Sequence, residues 1–78
     1  MKRKEIKSSN ISSIGYDKKS QILEVEFSNG SIYQYWPVEE KRYKNLIEAE
    51  SPGKLFAKNI RNDSDLNYSK VTNDNSDI

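Results

Sequence analysis

Residues 21–36 read Gln-Ile-Leu-Glu-Val-Glu-Phe-Ser-Asn-Gly-Ser-Ile-Tyr-Gln-Tyr-Trp, and this stretch decides the fold. From Gln21 to Phe27 apolar and acidic residues alternate. Leu23, Val25 and Phe27 fall on one face and Glu24 and Glu26 on the other, which is the period of a half-buried strand. Ser28-Asn29-Gly30-Ser31 carries the Asn-Gly signal of a hairpin. Ile32 to Trp36 is rich in aromatic and β-branched residues and reads as the returning strand, and Pro37 stops it.

Tyr33 and Tyr35 are two apart and share a face. Which face depends on the loop. A two-residue turn at Asn29-Gly30 pairs Phe27 with Ile32 and puts the tyrosines opposite Leu23, Val25 and Phe27. A three-residue loop over Ser28-Asn29-Gly30 pairs Phe27 with Ser31 and puts them on that same face. One residue of slip turns the whole strand over. The three-residue loop is favoured, because it keeps Gln34 off the core face and gives Gly30 the left-handed conformation that glycine tolerates.

Working outward, Ile11, Ile14 and Tyr16 mark a first strand over Asn10 to Tyr16, closed by a turn at Asp17-Lys18-Lys19-Ser20. Val38 to Glu50 reads as a helix: Tyr43, Leu46 and Ile47 lie on one face, with Glu39 and Glu40 in the first turn where the dipole favours them. Ser51-Pro52 restarts the chain as a helix N-cap and first-turn proline. A second short helix then runs to about Asn62 and buries Leu55, Phe56 and Ile60. Leu66 to Val71 reads as a short returning segment. Residues 1–7 read as a basic, frayed lead-in and residues 72–78 as a disordered polar tail. The expected architecture is α+β, a three-stranded antiparallel meander covered by two short helices.

Composition bounds the function. One domain fits in 78 residues, and with 33% apolar residues its core is thin. The chain has no cysteine and no histidine, which removes disulfides and the usual zinc sites as staples. Self-association is the staple left, and a homo-oligomer is expected, with Ile32 and Trp36 on the second sheet face as its contact. The net charge is only +1, against the basic surplus that long nucleic acids demand. No secretory signal or apolar run of membrane-spanning length is present, so the expected location is the cytoplasm. Catalysis is not expected: histidine and thiol chemistry are absent, and no serine sits in a Gly-x-Ser-x-Gly context.

The residues that remain point to binding. Tyr16, Tyr33, Tyr35 and Trp36 offer π-faces for stacking on nucleobases, although core is the commoner role for tyrosines in a small meander. Trp36, at a strand end on the face away from Tyr35, suits an interface. Lys54, Lys58 and Arg61 recur at helical spacing and form a basic stripe, with Arg61 suited to bidentate phosphate contact. The ordinary reading of such a stripe is a solvated helix face. Gly53, at the start of that helix, lets a ligand approach the backbone.

Several of these residues also carry a resemblance. Ser9-Asn10-Ile11, Ile14-Gly15-Tyr16-Asp17, Leu23 to Phe27, Asn29-Gly30, Tyr33-Gln34-Tyr35, Leu46-Ile47, Ala49, Ser51, Gly53, Phe56 and Ile60-Arg61 stand in one order. In this the chain resembles the KTSC domain family, named for the C-terminus of some lysyl-tRNA synthetases and also found as free-standing bacterial or phage proteins. The resemblance runs over residues 8–71. The chain departs from the family pattern at Pro37-Val38, where members have Val-Pro, and at Asp63-Ser64-Asp65, where members carry basic residues. The resemblance implies a binding module, with RNA as the usual partner. The residues and the charge balance favour a small nucleotide-type ligand, such as a cyclic dinucleotide signal sequestered by a phage protein. RNA binding and protein interaction are the alternatives.

Overall fold

The computed structural model describes residues 2–71. Its centre is the hairpin of residues 22–36. β3 (Ile22–Phe27) and β4 (Ile32–Trp36) pair with Leu23 opposite Tyr35 and Val25 opposite Tyr33. Phe27 N donates to Ser31 O at 2.8 Å and Gly30 N to Phe27 O at 2.9 Å, so the loop has three residues. Gly30 holds it with φ at 93°, a conformation that costs an L-residue strain. Tyr33 and Tyr35 therefore join Leu23, Val25 and Phe27 on the core face, as the favoured register requires.

The sheet has five strands, where the sequence reading expected three. β1 (Arg3–Glu5), β2 (Ile11–Asp17), β3, β4 and β5 (Asn67–Lys70) lie in sequential antiparallel order. β1 falls in the stretch read as a frayed lead-in, and β5 in the returning segment. Both edge strands are exposed along their length, so neither shows the alternation that betrays a half-buried strand. In β2 the pairing shifts between Ile11 and Ser13. This bulge at Ser12 turns Ile11 and Ile14, three residues apart, to the same face, which a regular strand cannot do. The tail read as disordered, 72–78, lies outside the described residues.

Two helical segments cover the core face. α1 spans Glu40–Glu48, shorter than the expected Val38–Glu50. Val38 belongs to the join between sheet and helix, where it is fully buried and its N–H donates to Gln21 O at 2.8 Å. α2 spans Pro52–Phe56 and continues into a π-helical turn at Ala57–Arg61. The core consists of Ile11, Ile14, Leu23, Val25, Tyr35, Val38, Leu46, Phe56 and Ile60. Among the described residues, no helix is long and apolar enough to cross a membrane.

The opposite sheet face is tied by polar side chains. Arg3, Gly15, Glu24, Gln34 and Ser69 stand in register across all five strands. Arg3 reaches over Gly15 to pair with Glu24, and its Nε donates to Ser13 Oγ at 2.9 Å. Glu24 Oε1 accepts from Gln34 Nε2 at 2.8 Å, and Ser13 Oγ donates to Glu26 Oε1 at 2.9 Å. Both strand carboxylates are therefore paired, and Glu24 is buried. A Cβ on Gly15 would stand 2.6 Å from Lys2 O and 2.9 Å from Arg3 Cγ. Gly15→Ala is accordingly expected to push β1 from the sheet and cost about 1–3 kcal/mol, read as a lowered denaturation midpoint together with faster amide exchange in residues 3–5.

A second tie anchors β5. Arg42 of α1 donates from Nη1 to Asp63 Oδ2 at 2.9 Å, while Asp63 Oδ1 accepts from Asp65 N at 2.9 Å. Arg42 and these hydrogen bonds hold the Asp63 carboxyl below its ordinary 3.8. A group lowered on folding contributes stability that is complete above its unfolded value and lost as pH falls through the folded one. Thermal melts of the parent should therefore exceed those of Asp63→Asn at neutral pH. The gap should narrow once the pH falls below the ordinary 3.8 and close as Asp63 becomes protonated in the fold.

Candidate functional site

The hairpin register has a direct spatial consequence. With the tyrosines on the core face and the helical segments covering only part of it, a groove of about 690 Å³ opens between the sheet and α2 with its π-turn. That volume lies in the range of small-ligand sites. Its floor is Ile11, Phe27, Phe56 and Ala57, and its walls carry Tyr33, Tyr35, Tyr68 and Arg61. None of the lining residues is acidic, in a chain with 12 acidic side chains.

The rings form one connected cluster. Phe56 meets Phe27 and Tyr35 edge to face, at 5.5 and 5.3 Å between centroids. Tyr33 stacks on Tyr35 at 6.4 Å, and Tyr68 lies on Tyr35 at 6.1 Å. Tyr35 is 8% exposed and Tyr68 68%, so the cluster grades from core to solvent within one wall. Burial pushes the Tyr35 hydroxyl above the ordinary 10.0 although the charge of Arg61 pulls it down. It is a neutral phenol, able to donate, across the physiological range. Among the described residues, the hydroxyls of Tyr33, Tyr35 and Tyr68 make no hydrogen bond to protein.

Arg61 is placed by the π-turn. Asn62 N donates to Ala57 O at 3.2 Å, a bond that spans five residues. A π-turn spends an extra residue on the same rotation, so Arg61 swings back in line with Gly53 and Ala57, which also line the groove. Lys54 and Lys58 are exposed and stand outside it. The expected basic stripe is thus split, with one member at the groove and two in solvent. The chain has three arginines. Arg3 and Arg42 are paired with carboxylates, whereas Arg61 has no carboxylate partner among the described residues.

The other candidates lie apart. Tyr16 donates its hydroxyl to Val38 O at 2.5 Å and stacks on Tyr43 at 5.0 Å. Burial first, then Glu40, Asp17 and Glu39, hold that hydroxyl above 10.0, so it stays a donor in the sheet-to-helix join. Trp36 is half-buried, opposite Asn67, and does not line the groove. Gly53 lines it, but its missing side chain accommodates protein: a Cβ there would meet Ser8 Oγ at 3.0 Å. Asn10, Ser28, Asn29, Ser31 and Tyr68 line the groove and were not among the expected site residues. Tyr68 becomes visible only once Asn67–Lys70 is known to be a strand, since it then stands beside Tyr35. Among the described residues, no group of three His, Cys, Asp or Glu side chains is placed to hold a metal.

The comparisons agree with this fold. The crystal structure of a KTSC domain protein from Yersinia pestis superposes with a TM-score of 0.80 at 33% identity, covering 91% of this chain and 97% of that one. An uncharacterized protein of Stutzerimonas stutzeri is 48% identical over 56 residues, 72% of this chain and 79% of its own length. A lysine–tRNA ligase of Nostoc punctiforme is 37% identical over 51 residues, 65% of this chain and 9% of the ligase. The KTSC domain model matches residues 7–64, and the chain belongs to the KTSC domain family.

Proposed function

We propose that the chain is a non-catalytic module that binds a small nucleotide-type ligand in the groove. The observation that carries the reading is the Arg61 guanidinium, unpaired among the described residues, beside an acid-free aromatic wall. A guanidinium fork with no carboxylate of its own suits a phosphate. Tyrosine faces next to it suit a base, and three free hydroxyls add donors for an anion or a sugar. Sequestration of a signalling nucleotide, a cyclic dinucleotide among them, needs no more chemistry than this.

A second reading, RNA binding, has one observation in its favour: a related segment occupies part of a lysine–tRNA ligase. Salt separates the two. Several phosphate contacts give a steep fall of affinity with salt, and one contact a shallow fall. Mononucleotides, cyclic dinucleotides and short RNAs titrated at several salt concentrations supply both answers.

The half-buried Ile32 and Trp36 on the second sheet face support an oligomer joined through that face. A monomer mass by light scattering at high concentration defeats that part of the proposal.

Arg61→Ala should weaken nucleotide binding by about 1.5–3 kcal/mol, the usual worth of a hydrogen bond to a charged group. Arg61→Lys should keep part of the affinity, since it keeps the charge and loses the fork. Arg61 is exposed, so the melting temperature of the free variants should stay within about 2 °C of the parent. A damaged fold with unchanged affinity would place Arg61 in the scaffold and refute the site.

A further inference from the structure

The rim of the groove on the hairpin side is built from amides and hydroxyls. Ser28 N donates to Asn10 O at 2.9 Å, which holds the loop beside Asn10. Asn29 Oδ1 accepts from Ser31 N at 3.0 Å and from Ser31 Oγ at 2.6 Å. Both acceptor directions of that oxygen are then in use. The backbone N–H can only donate, so it fixes which way round the amide sits. The Asn29 nitrogen is left facing outward with its two hydrogens, without a protein partner among the described residues. Asn29 is exposed and lines the groove.

This donor stands at the other end of the groove from Arg61. Along β4, Ser31 and Tyr35 are four residues apart, which is about 13 Å of strand. Along the helical segment, Gly53 beside Asn10 and Arg61 beside Tyr35 are eight apart, which is about 12 Å at the α-helical rise and somewhat less through the π-turn. The two lengths agree. Between the ends lie the rings of Phe27, Tyr33 and Phe56. A nucleotide laid lengthwise, with its phosphate on Arg61 and its base over those rings, brings the outer edge of the base to Asn29.

We infer that Asn29 is a specificity-determining residue and that the groove selects a guanine nucleotide. An amide with its oxygen tied down can only donate, so it favours a base edge made of acceptors. Guanine offers O6 and N7 there; adenine sets an amino group beside N7, and cytosine presents an amino group. Uracil offers an acceptor at O4 but lacks the second ring that would cover the floor. The inference rests on the nucleotide reading of the same groove and adds which base it takes.

The test is calorimetric titration of the full chain with GMP, AMP, UMP and CMP, for the parent, Asn29→Asp and Asn29→Ser. Both variants keep an oxygen for the Ser31 N–H, so the turn is preserved, and both lose the outward N–H groups. The parent should bind GMP about tenfold more tightly than AMP, and the ratio should fall to near one in Asn29→Ser and to one or below in Asn29→Asp, whose outward oxygen accepts from the adenine amino group. The ratio is the readout, because the added charge of Asn29→Asp acts on every phosphate alike and cancels between nucleotides. Equal binding of GMP and AMP by the parent, or a ratio unchanged in both variants, overturns the role of Asn29. The nucleotide reading survives that outcome if Arg61→Ala still lowers affinity. Failure of every nucleotide to bind overturns both.

Discussion

The three-residue loop at Ser28–Gly30 is the constraint on which the rest of the molecule depends. Gly30 takes a backbone conformation with φ at 93°, and that single choice pairs Phe27 with Ser31. The opposite register would turn Gln34 into the core and both tyrosines out of it. It would also remove Gln34 from Glu24, whose carboxylate is buried and accepts the Gln34 amide. Glu24 would keep Arg3, but leaving one oxygen of a buried carboxylate without its donor costs more than the bond itself is worth. Both faces of the sheet therefore select the same register, one through ring packing and the other through polar pairing.

That agreement explains how so thin a core holds a fold without a disulfide or a metal. On the apolar face, small aliphatic residues from β2 and β3 meet Leu46, Phe56 and Ile60 from the helical layer. On the polar face, Arg3 lies across Gly15 and clamps the first three strands through Ser13, Glu24 and Glu26. Arg42 does the same service at the far edge by holding Asp63 just before β5. Two of the three arginines are thus spent on joining edge strands to the body of the sheet, which is where a meander is weakest.

The central hairpin, the helical positions and the core residues were legible in the sequence because each carries a strong local signal. Alternation over Leu23 to Phe27 fixes faces, and Asn29-Gly30 fixes the turn. Tyr43, Leu46 and Ile47 show helical spacing. The two edge strands were not legible, since Arg-Lys-Glu and Asn-Tyr-Ser-Lys are short, exposed and polar, and what makes them strands is pairing with distant residues. The bulge at Ser12 and the π-turn at Ala57–Arg61 are likewise tertiary: nothing in Ala-Lys-Asn-Ile-Arg announces an extra residue in the turn. For the site, the sequence singled out eight residues, of which Tyr33, Tyr35, Gly53 and Arg61 line the groove and Tyr16, Trp36, Lys54 and Lys58 do not. It grouped Arg61 with Lys54 and Lys58 on the assumption of a regular helix, and the π-turn breaks that grouping.

The groove also divides its lining into two kinds of residue. Five of the eight aromatic side chains gather at it. Phe56 and Tyr35 belong to the core as well as to the groove lining, so the shape of the groove is inseparable from the stability of the fold. Arg61, Asn29 and Asn10 are exposed at the rim, held by backbone geometry and contributing little to packing. A buried floor that cannot change without unfolding, under a rim that can change freely, lets affinity for a flat ring be built into the scaffold. Under the nucleotide reading we propose, what the ring carries, an anionic group at one end and acceptors at the other, is then set by a few surface residues. In a chain this small, recognition and stability compete for the same side chains. Here the division between floor and rim decides which of them each side chain serves.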